Sequence, residues 1–305
     1  MRKPQSVHTP AFNRRHMLTR SAGLAAVGSL ALRNLSRGDE VDSSKPTISK
    51  GNIRQSLVSW CFTKHWSVEK ICRVANQLGI PSIELIPPEH WPLLKKHGLA
   101  CAIASSHSFE KGMNNPKYHA MCLDRLRTTI DKASDFGCPS VITFTGFRED
   151  IPDDVGTKNC VAGFKQIVAY AEQKKVTLCL EMLNSRVNGE MKGHPGYQGD
   201  RTEYCIDIIR QVGSPALKLL FDIYHVQIME GDIITRIRQY HEFIGHYHTA
   251  GNPGRGELDE TQEINYPPIM QAIVKTGYKG YVGQEFIPTR DPLEGLTQAV
   301  RLCDV

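Results

Sequence analysis

The sequence predicts an α/β chain that closes as a (β/α)8 TIM barrel, and three observations carry that prediction. From about residue 53 onward, short β-type runs alternate with helical patterns, unit after unit. Eight such units in roughly 250 residues match the size of one barrel. The β-type runs are near-continuous apolar segments, as parallel strands covered on both faces are. A doubly wound open sheet would show fewer units and a G-x-G-x-x-G after its first strand, and this chain has neither.

Taken in order, the first run is "IRQSLVSWCF" (53–62), followed by the helical "SVEKICRVANQLG". Next come "SIELI" (82–86) and "ACAIAS" (100–105), then the long helix "YHAMCLDRLRTTIDKASDFG". The fourth run, "SVITFTG" (140–146), leads into "CVAGFKQIVAYAEQKK", read as one helix, and the fifth, "VTLCLEML" (176–183), into "TEYCIDIIRQVG". "LKLLFDIY" (217–224) precedes "IITRIRQYHE", "FIGHYHTA" (243–250) precedes "PPIMQAIVKTG", and "GYVGQEFI" (280–287) precedes "PLEGLTQAVRLC". Several helices stop at a Gly just before the next run, where a left-handed C-cap is expected.

The first fifty residues differ from the rest. They hold nine Lys/Arg against three Asp/Glu, so the net charge of +5 belongs to them and the body is left near −1. A near-neutral body lacks the basic footprint of a nucleic-acid binder. Arg14-Arg15 precede a short apolar stretch, Ala22 to Leu32, too short to span a bilayer. This reads as a twin-arginine export signal followed by a linker, with a disordered basic tail as the alternative. Residues 1–50 are accordingly assigned to a leader and linker, disordered or cleaved, and 51–305 to the barrel. The expected destination is the periplasm or envelope, or the cytoplasm if the leader is not used. No other stretch reaches membrane-spanning length. The nine cysteines form no C-x-x-C pair and read as buried thiols rather than a disulfide framework.

In such a barrel, chemistry sits at the C-terminal ends of the strands. Polar residues that end apolar runs are therefore informative. The fifth run ends with Glu181, the sixth with Asp222 followed by His225, the seventh with His246 and His248, and the eighth with Glu285. Each alone reads as a salt-bridged or hydrogen-bonded structural residue. Together, four successive strands aim a carboxylate or imidazole at one mouth. Buried carboxylates repel one another without a cation. A divalent cation relieves that conflict, and two Glu, one Asp and one His suit Mn²⁺, Mg²⁺, Co²⁺ or Zn²⁺. A structural ion-pair network is the rival reading.

Alternation sends His246 and His248 to the same face, with His248 the better ligand and His246 a supporting partner or a layer of the interior. The Gly/Pro loop that follows brings Arg255 over the mouth, where it grips a substrate oxygen or stays solvated. Glu84 is a candidate to line the mouth or pair with a base, His107 to touch substrate or fix a loop, and Glu257 to orient Arg255. Trp60 and Trp91 are packing residues that could also supply an apolar wall.

The segments "SIELIPPEHWPLLKKHGL", "LEMLNSR", "FDIYHVQIMEGD", "AGNPGRGE", "EINYP" and "GQEF" resemble the hydroxypyruvate isomerase family. That family lies within the xylose-isomerase-like TIM barrels, beside ketose 3-epimerases and endonuclease IV, and the resemblance covers roughly residues 53–303. It implies a divalent metal on Glu181, Asp222, His248 and Glu285, with Glu181 and Glu285 as the acid/base pair. It also implies substrate contacts at His225 and Arg255. One position departs: hydroxypyruvate isomerases often carry Gln in the second place of the H-x-H pair, whereas ketose 3-epimerases have His, as here.

The implied activity is isomerisation of a small hydroxy-carbonyl substrate by proton transfer through an enediolate, hydroxypyruvate to tartronate semialdehyde being the family reaction. Ketose 3-epimerisation and keto-polyol dehydration would use the same residues. A non-catalytic carbohydrate-binding paralogue and an endonuclease IV-like phosphodiesterase are rivals of other classes. The first has less need of two opposed carboxylates, and the second needs more histidines and a basic surface. A homo-oligomer is left open.

Overall fold

The computed structural model describes residues 47–305; Arg14-Arg15 and the apolar stretch after them lie outside the described residues. Seven parallel strands form one curled sheet: β1 (Arg54–Val58), β2 (Ser82–Glu84), β3 (Ser140–Thr143), β4 (Thr177–Glu181), β5 (Leu217–Asp222), β6 (Ile244–Thr249) and β7 (Tyr281–Gln284). Their order is β2-β1-β7-β6-β5-β4-β3, so β2 and β3 are the two edges. The predicted third strand fills that gap without forming a regular ladder. Ala100 bridges Ser82 on one side and Ala104 bridges Val141 on the other. Leu85 donates its N–H to Ile103 O, and Ile142 donates to Ala104 O, at 3.0 Å each. The seven-stranded sheet is thus closed by a segment that bonds both edges.

The helices α1 (Val68–Leu78), α2 (Trp91–Lys96), α3 (His119–Phe136), α4 (Asp153–Phe164), α5 (Val168–Lys174), α6 (Thr202–Val212), α7 (Ile223–Met229), α8 (Ile233–Tyr240), α9 (Tyr266–Lys275) and α10 (Pro292–Cys303) connect the strands. Local chemistry sets their ends. Ser67 caps α1 by accepting the N–H of Lys70, and Gly79, at φ +79°, closes it in the left-handed conformation that glycine adopts without penalty. The single helix predicted over residues 160–175 is two. Gln166 and Ile167 donate to Gly163 O and Phe164 O, a three-residue tightening that turns Ile167 into the core before α5 begins.

Side chains on the strands divide cleanly by alternation. Leu178, Leu180, Leu219, Phe221 and Tyr247 face outward into the large core under the helices. Cys179, Leu220 and Ile142 face a smaller apolar cluster. The same parity carries Glu181, Asp222, His246 and His248 to the inward side. At the other end of the chain, Ile48 packs on the core, and the Asp304 carboxylate accepts the N–H groups of Ser49 (2.7 Å), Lys50 (2.9 Å) and Gly51 (2.8 Å). All nine cysteines are buried free thiols. No helix among the described residues is long and apolar enough to cross a membrane.

Candidate active site

Four side chains predicted to meet do meet. One donor atom from each of Glu181, Asp222, His248 and Glu285 lies within 4.8 Å of the others, and all four residues are buried. Glu181 ends β4, Asp222 ends β5, His248 is the penultimate residue of β6, and Glu285 follows β7. Four consecutive strand ends therefore build the cluster.

Asp222 does two jobs. It ends its strand and caps α7, its Oδ1 accepting the N–H groups of Tyr224 (2.8 Å) and His225 (3.1 Å). Oδ2 is left facing the cluster, 3.5 Å from Arg255 Nη2. Glu285 is held from two directions: Trp60 Nε1 donates to Oε1 at 3.1 Å and Arg255 Nη2 to Oε2 at 2.6 Å. His248 Nδ1 stands 2.9 Å from Glu285 Oε2 and 3.6 Å from Glu181 Oε1. The backbone under Glu181 is fixed by Tyr197, whose hydroxyl donates to Glu181 O at 2.8 Å and accepts from Thr145 N at 3.0 Å.

Burial and charge pull the carboxylates apart. Burial raises Glu181, against the pull of His248. Burial also pushes Asp222 up to about 7, against Arg255. Burial acts on Glu285 in the same sense, but His248 and Arg255 overcome it and hold that carboxyl well below the usual range. For His248, burial favours the neutral ring, yet Glu285 and Glu181 hold its ionisation well above the usual value. Three buried carboxylates against an imidazole and one guanidinium form a site short of positive charge. The donor set also fits a divalent ion: three carboxylates, an imidazole, and a buried His248 Nδ1 that makes no hydrogen bond. Glu181, Asp222, His248 and Glu285 are thus residues that could bind a metal.

A cavity of about 160 Å³ opens beside the cluster, bordered by Glu181, Glu285, Arg255, His107, His194 and Trp60 among others. Arg255, placed by the sequence on a solvated or substrate-gripping loop, is only 2% exposed. It sits at φ +59°, donates to Met191 O and lies over the Trp60 ring at 5.3 Å. His107 borders the cavity, but both ring nitrogens are engaged. Nδ1 lies 3.1 Å from the carbonyls of Ser108 and Lys111, so it carries the proton, and Nε2 accepts from Thr143 Oγ1 at 2.8 Å. Burial lowers its ionisation, which keeps the ring neutral.

Three of the substrate-contact candidates lie away from the cavity wall. His225 is fully buried; its Nδ1 accepts the Asn184 N–H at 3.1 Å, which puts the proton on Nε2, 3.6 Å from Asp222 Oδ2. Burial, and then Arg255, keep that ring neutral. Glu84 does not line the mouth. It lies beneath His248, fully buried, because β2 is short and Leu85 turns the chain at φ +53°. Glu257 does not orient Arg255, because its carboxylate accepts from Thr289 N (2.8 Å), Thr289 Oγ1 (2.7 Å) and Arg290 N (3.2 Å). Of the tryptophans, Trp60 belongs to the site and Trp91 packs on Phe136 at 4.9 Å. Sequence reasoning missed His194, which borders the cavity 4.2 Å from the Phe109 ring, and Asn184. "GHPGY" carried no periodic or strand-end signal, so nothing marked that histidine.

Comparison with known proteins agrees with this fold. Residues 72–303 match the family described as xylose isomerase-like TIM barrel. The chain belongs to that family. Within it, the chain is 35% identical over 207 residues to the hydroxypyruvate isomerase of Escherichia coli (strain K12), covering 58% of this chain and 80% of that one. It is 34% identical over 150 residues to the 2-oxo-tetronate isomerase of Cupriavidus necator, covering 48% and 55%. Among solved structures, an AP endonuclease, family 2, from Brucella melitensis superposes with a TM-score of 0.71 at 23% identity, covering 80% of this chain and 97% of that one. An L-ribulose 3-epimerase superposes at 0.66 and 19%, covering 82% and 92%. At those identities the structures show a shared fold. The sequence relatives make this member of the family an isomerase.

Proposed function

We propose that the chain isomerises a small α-hydroxy-carbonyl acid of the hydroxypyruvate type, by carboxylate-mediated proton transfer through an enediolate. The carrying observation is that Glu181 and Glu285 come from different strand ends, border one cavity and share a cluster with Asp222 and His248. A divalent ion held by Glu181, Asp222, His248 and Glu285 would supply Lewis-acid stabilisation of developing negative charge.

The chain's own residues do the rest. One of Glu181 and Glu285 takes the proton from the hydroxyl-bearing carbon, and the other delivers a proton to the neighbouring carbonyl carbon. The hydroxyl proton passes between the two oxygens, so hydroxypyruvate becomes tartronate semialdehyde with no oxidant or reductant. Arg255 borders the cavity and would hold a substrate carboxylate. His225 and Asn184 fix Asp222 and the loop after β4. His107 presents a neutral ring whose role is to shape the wall.

Epimerisation at one carbon is the second reading. Return of the proton to the same carbon from the opposite face needs the same two carboxylates, and His248 stands where the resemblance gives ketose 3-epimerases a histidine. Export by the leader is proposed on Arg14-Arg15 and the apolar stretch alone.

Glu181→Gln and Glu285→Gln test the proposal. Each should lower kcat by at least about a hundredfold, the scale of general acid–base catalysis, while the fold survives. Near-normal turnover in either variant removes that residue from the chemistry.

A further inference from the structure

His248 faces two clusters with its two nitrogens. Nδ1 points to Glu285 and Glu181, as described above. Nε2 points the other way, into the barrel, where Glu84 Oε1 lies 3.7 Å away. Glu84 in turn stands against His246, with 2.7 Å between Oε2 and Nε2. The three side chains present donor atoms within 4.8 Å of one another, at 0–1% exposure. Despite the short separation, neither Glu84 oxygen and neither of the facing nitrogens makes a hydrogen bond of acceptable geometry. A fully buried carboxylate with both oxygens unsatisfied is costly unless it serves something.

The fold makes room for this carboxylate. A Cβ at Gly283 would meet Glu84 Oε1 at 1.8 Å and His248 Cδ2 at 2.8 Å. Gly283 is paired with His248 in the β6–β7 ladder, and its φ is not in the left-handed region. Backbone conformation therefore does not require glycine here; the space does. Glu84 occupies the volume a side chain at 283 would fill. It does not border the cavity, so it is not placed to touch a substrate.

We infer that Glu84 is a positioning residue for the metal-binding imidazole, which rests on the reading that the outer cluster holds a divalent ion. A histidine offers a lone pair from Nδ1 only in the tautomer that carries its proton on Nε2. A carboxylate on the far side of the ring selects that tautomer, fixes the ring plane and makes the ligand nitrogen more basic. Glu84 is the one carboxylate within 4 Å of His248 Nε2 among the described residues. His246 stands against Glu84 on the other side, its ring edge-on to His248 at 5.0 Å and 90°. The H-x-H pair thus divides into a ligand and a support, bridged by Glu84.

The test is Mn²⁺ binding by the full chain, with no substrate present, in wild type, Glu84→Gln and Glu84→Asp. Glu84→Gln should weaken Mn²⁺ binding by about 10–100-fold, with the metal-free Tm equal to or above that of wild type, since an unsatisfied buried charge is removed. Glu84→Asp should fall between. Mn²⁺ affinity within twofold of wild type in Glu84→Gln overturns the inference. A lowered metal-free Tm with unchanged affinity would mark Glu84 as merely structural and overturn it too. Should Glu84→Gln not fold, Mn²⁺ binding by Glu84→Asp decides: affinity lowered more than twofold supports the inference, and affinity within twofold of wild type overturns it. A wild-type chain that binds no divalent ion sinks the metal reading itself, a failure distinct from unchanged affinity in the variant.

Discussion

Arg255 Nη2 stands 2.6 Å from Glu285 Oε2, both side chains under 5% exposed. The guanidinium lies where the sequence placed a loop, yet it is one of the largest fully buried side chains of the barrel. It is the main counter-charge the chain itself supplies to the carboxylate cluster, together with His248.

Removing it should therefore be expensive. Arg255→Ala leaves Glu285 and Asp222 short of their partner, and breaking a buried pair by deleting one member costs roughly 3–5 kcal/mol. Urea unfolding of the metal-free protein should show that loss. A change under about 1 kcal/mol would mean the pair is not formed in solution.

Gly283→Ala should disturb both halves of the His248 environment. The new methyl group would have to displace Glu84 and press on His248, and overpacking of this kind costs about 1–3 kcal/mol. Divalent-ion affinity should fall along with stability. An unchanged Tm and unchanged affinity would show that the interior yields more freely than its packing suggests.

These relationships were unequally legible in the sequence. Glu181, Asp222 and His248 could be read because each interrupts an apolar run at its end, and strand alternation then sets their direction. Glu285 could be read from "GQEF" in the same way. Glu84 in "SIELI" was read as lining the mouth or pairing with a base; β2 spans only Ser82–Glu84 and Leu85 turns away with a positive φ, so the carboxylate is left inside the barrel, against His246. The third run was legible as extended chain but not as a strand that bonds both edges only in part. Arg255 and His194 sit on loops, where no periodicity reports burial, and the partners of Glu257 come from a segment some thirty residues later.

The His194 ring should matter for substrate binding more than for chemistry. It borders the cavity, and burial followed by Arg255 pushes its ionisation down to about 4, so it is a neutral donor or acceptor near pH 7. His194→Ala should raise KM up to about tenfold, the worth of one hydrogen bond, with kcat within about threefold. An unchanged KM across keto-acid substrates would remove it from the binding wall.

The contact between the chain end and residues 49–51 should be pH-sensitive. Although burial raises it, hydrogen bonds from Lys50, Ser49 and Gly51 hold the Asp304 carboxyl below its ordinary 3.8. A depressed carboxylate contributes stability that is present above the unfolded value and is lost as pH falls through the folded value. The stability gap between wild type and Asp304→Ala should therefore be widest above about pH 4 and narrow below it. A gap constant from pH 6 to pH 3 would contradict the assignment.

The most direct test of the proposed function is proton NMR of the full chain in D₂O, with hydroxypyruvate and with small ketoses, before and after divalent ion is added. Deuterium should enter the substrate at the carbon adjoining the carbonyl, only with metal present, and the labelled carbon separates isomerisation from epimerisation. A shielded carboxylate that returns its own proton forms product without solvent deuterium, so Glu181→Gln and Glu285→Gln are run beside it and should lower turnover by at least about a hundredfold. A metal-loaded wild-type chain that neither exchanges nor converts any of these substrates would contradict the proposed proton-transfer chemistry.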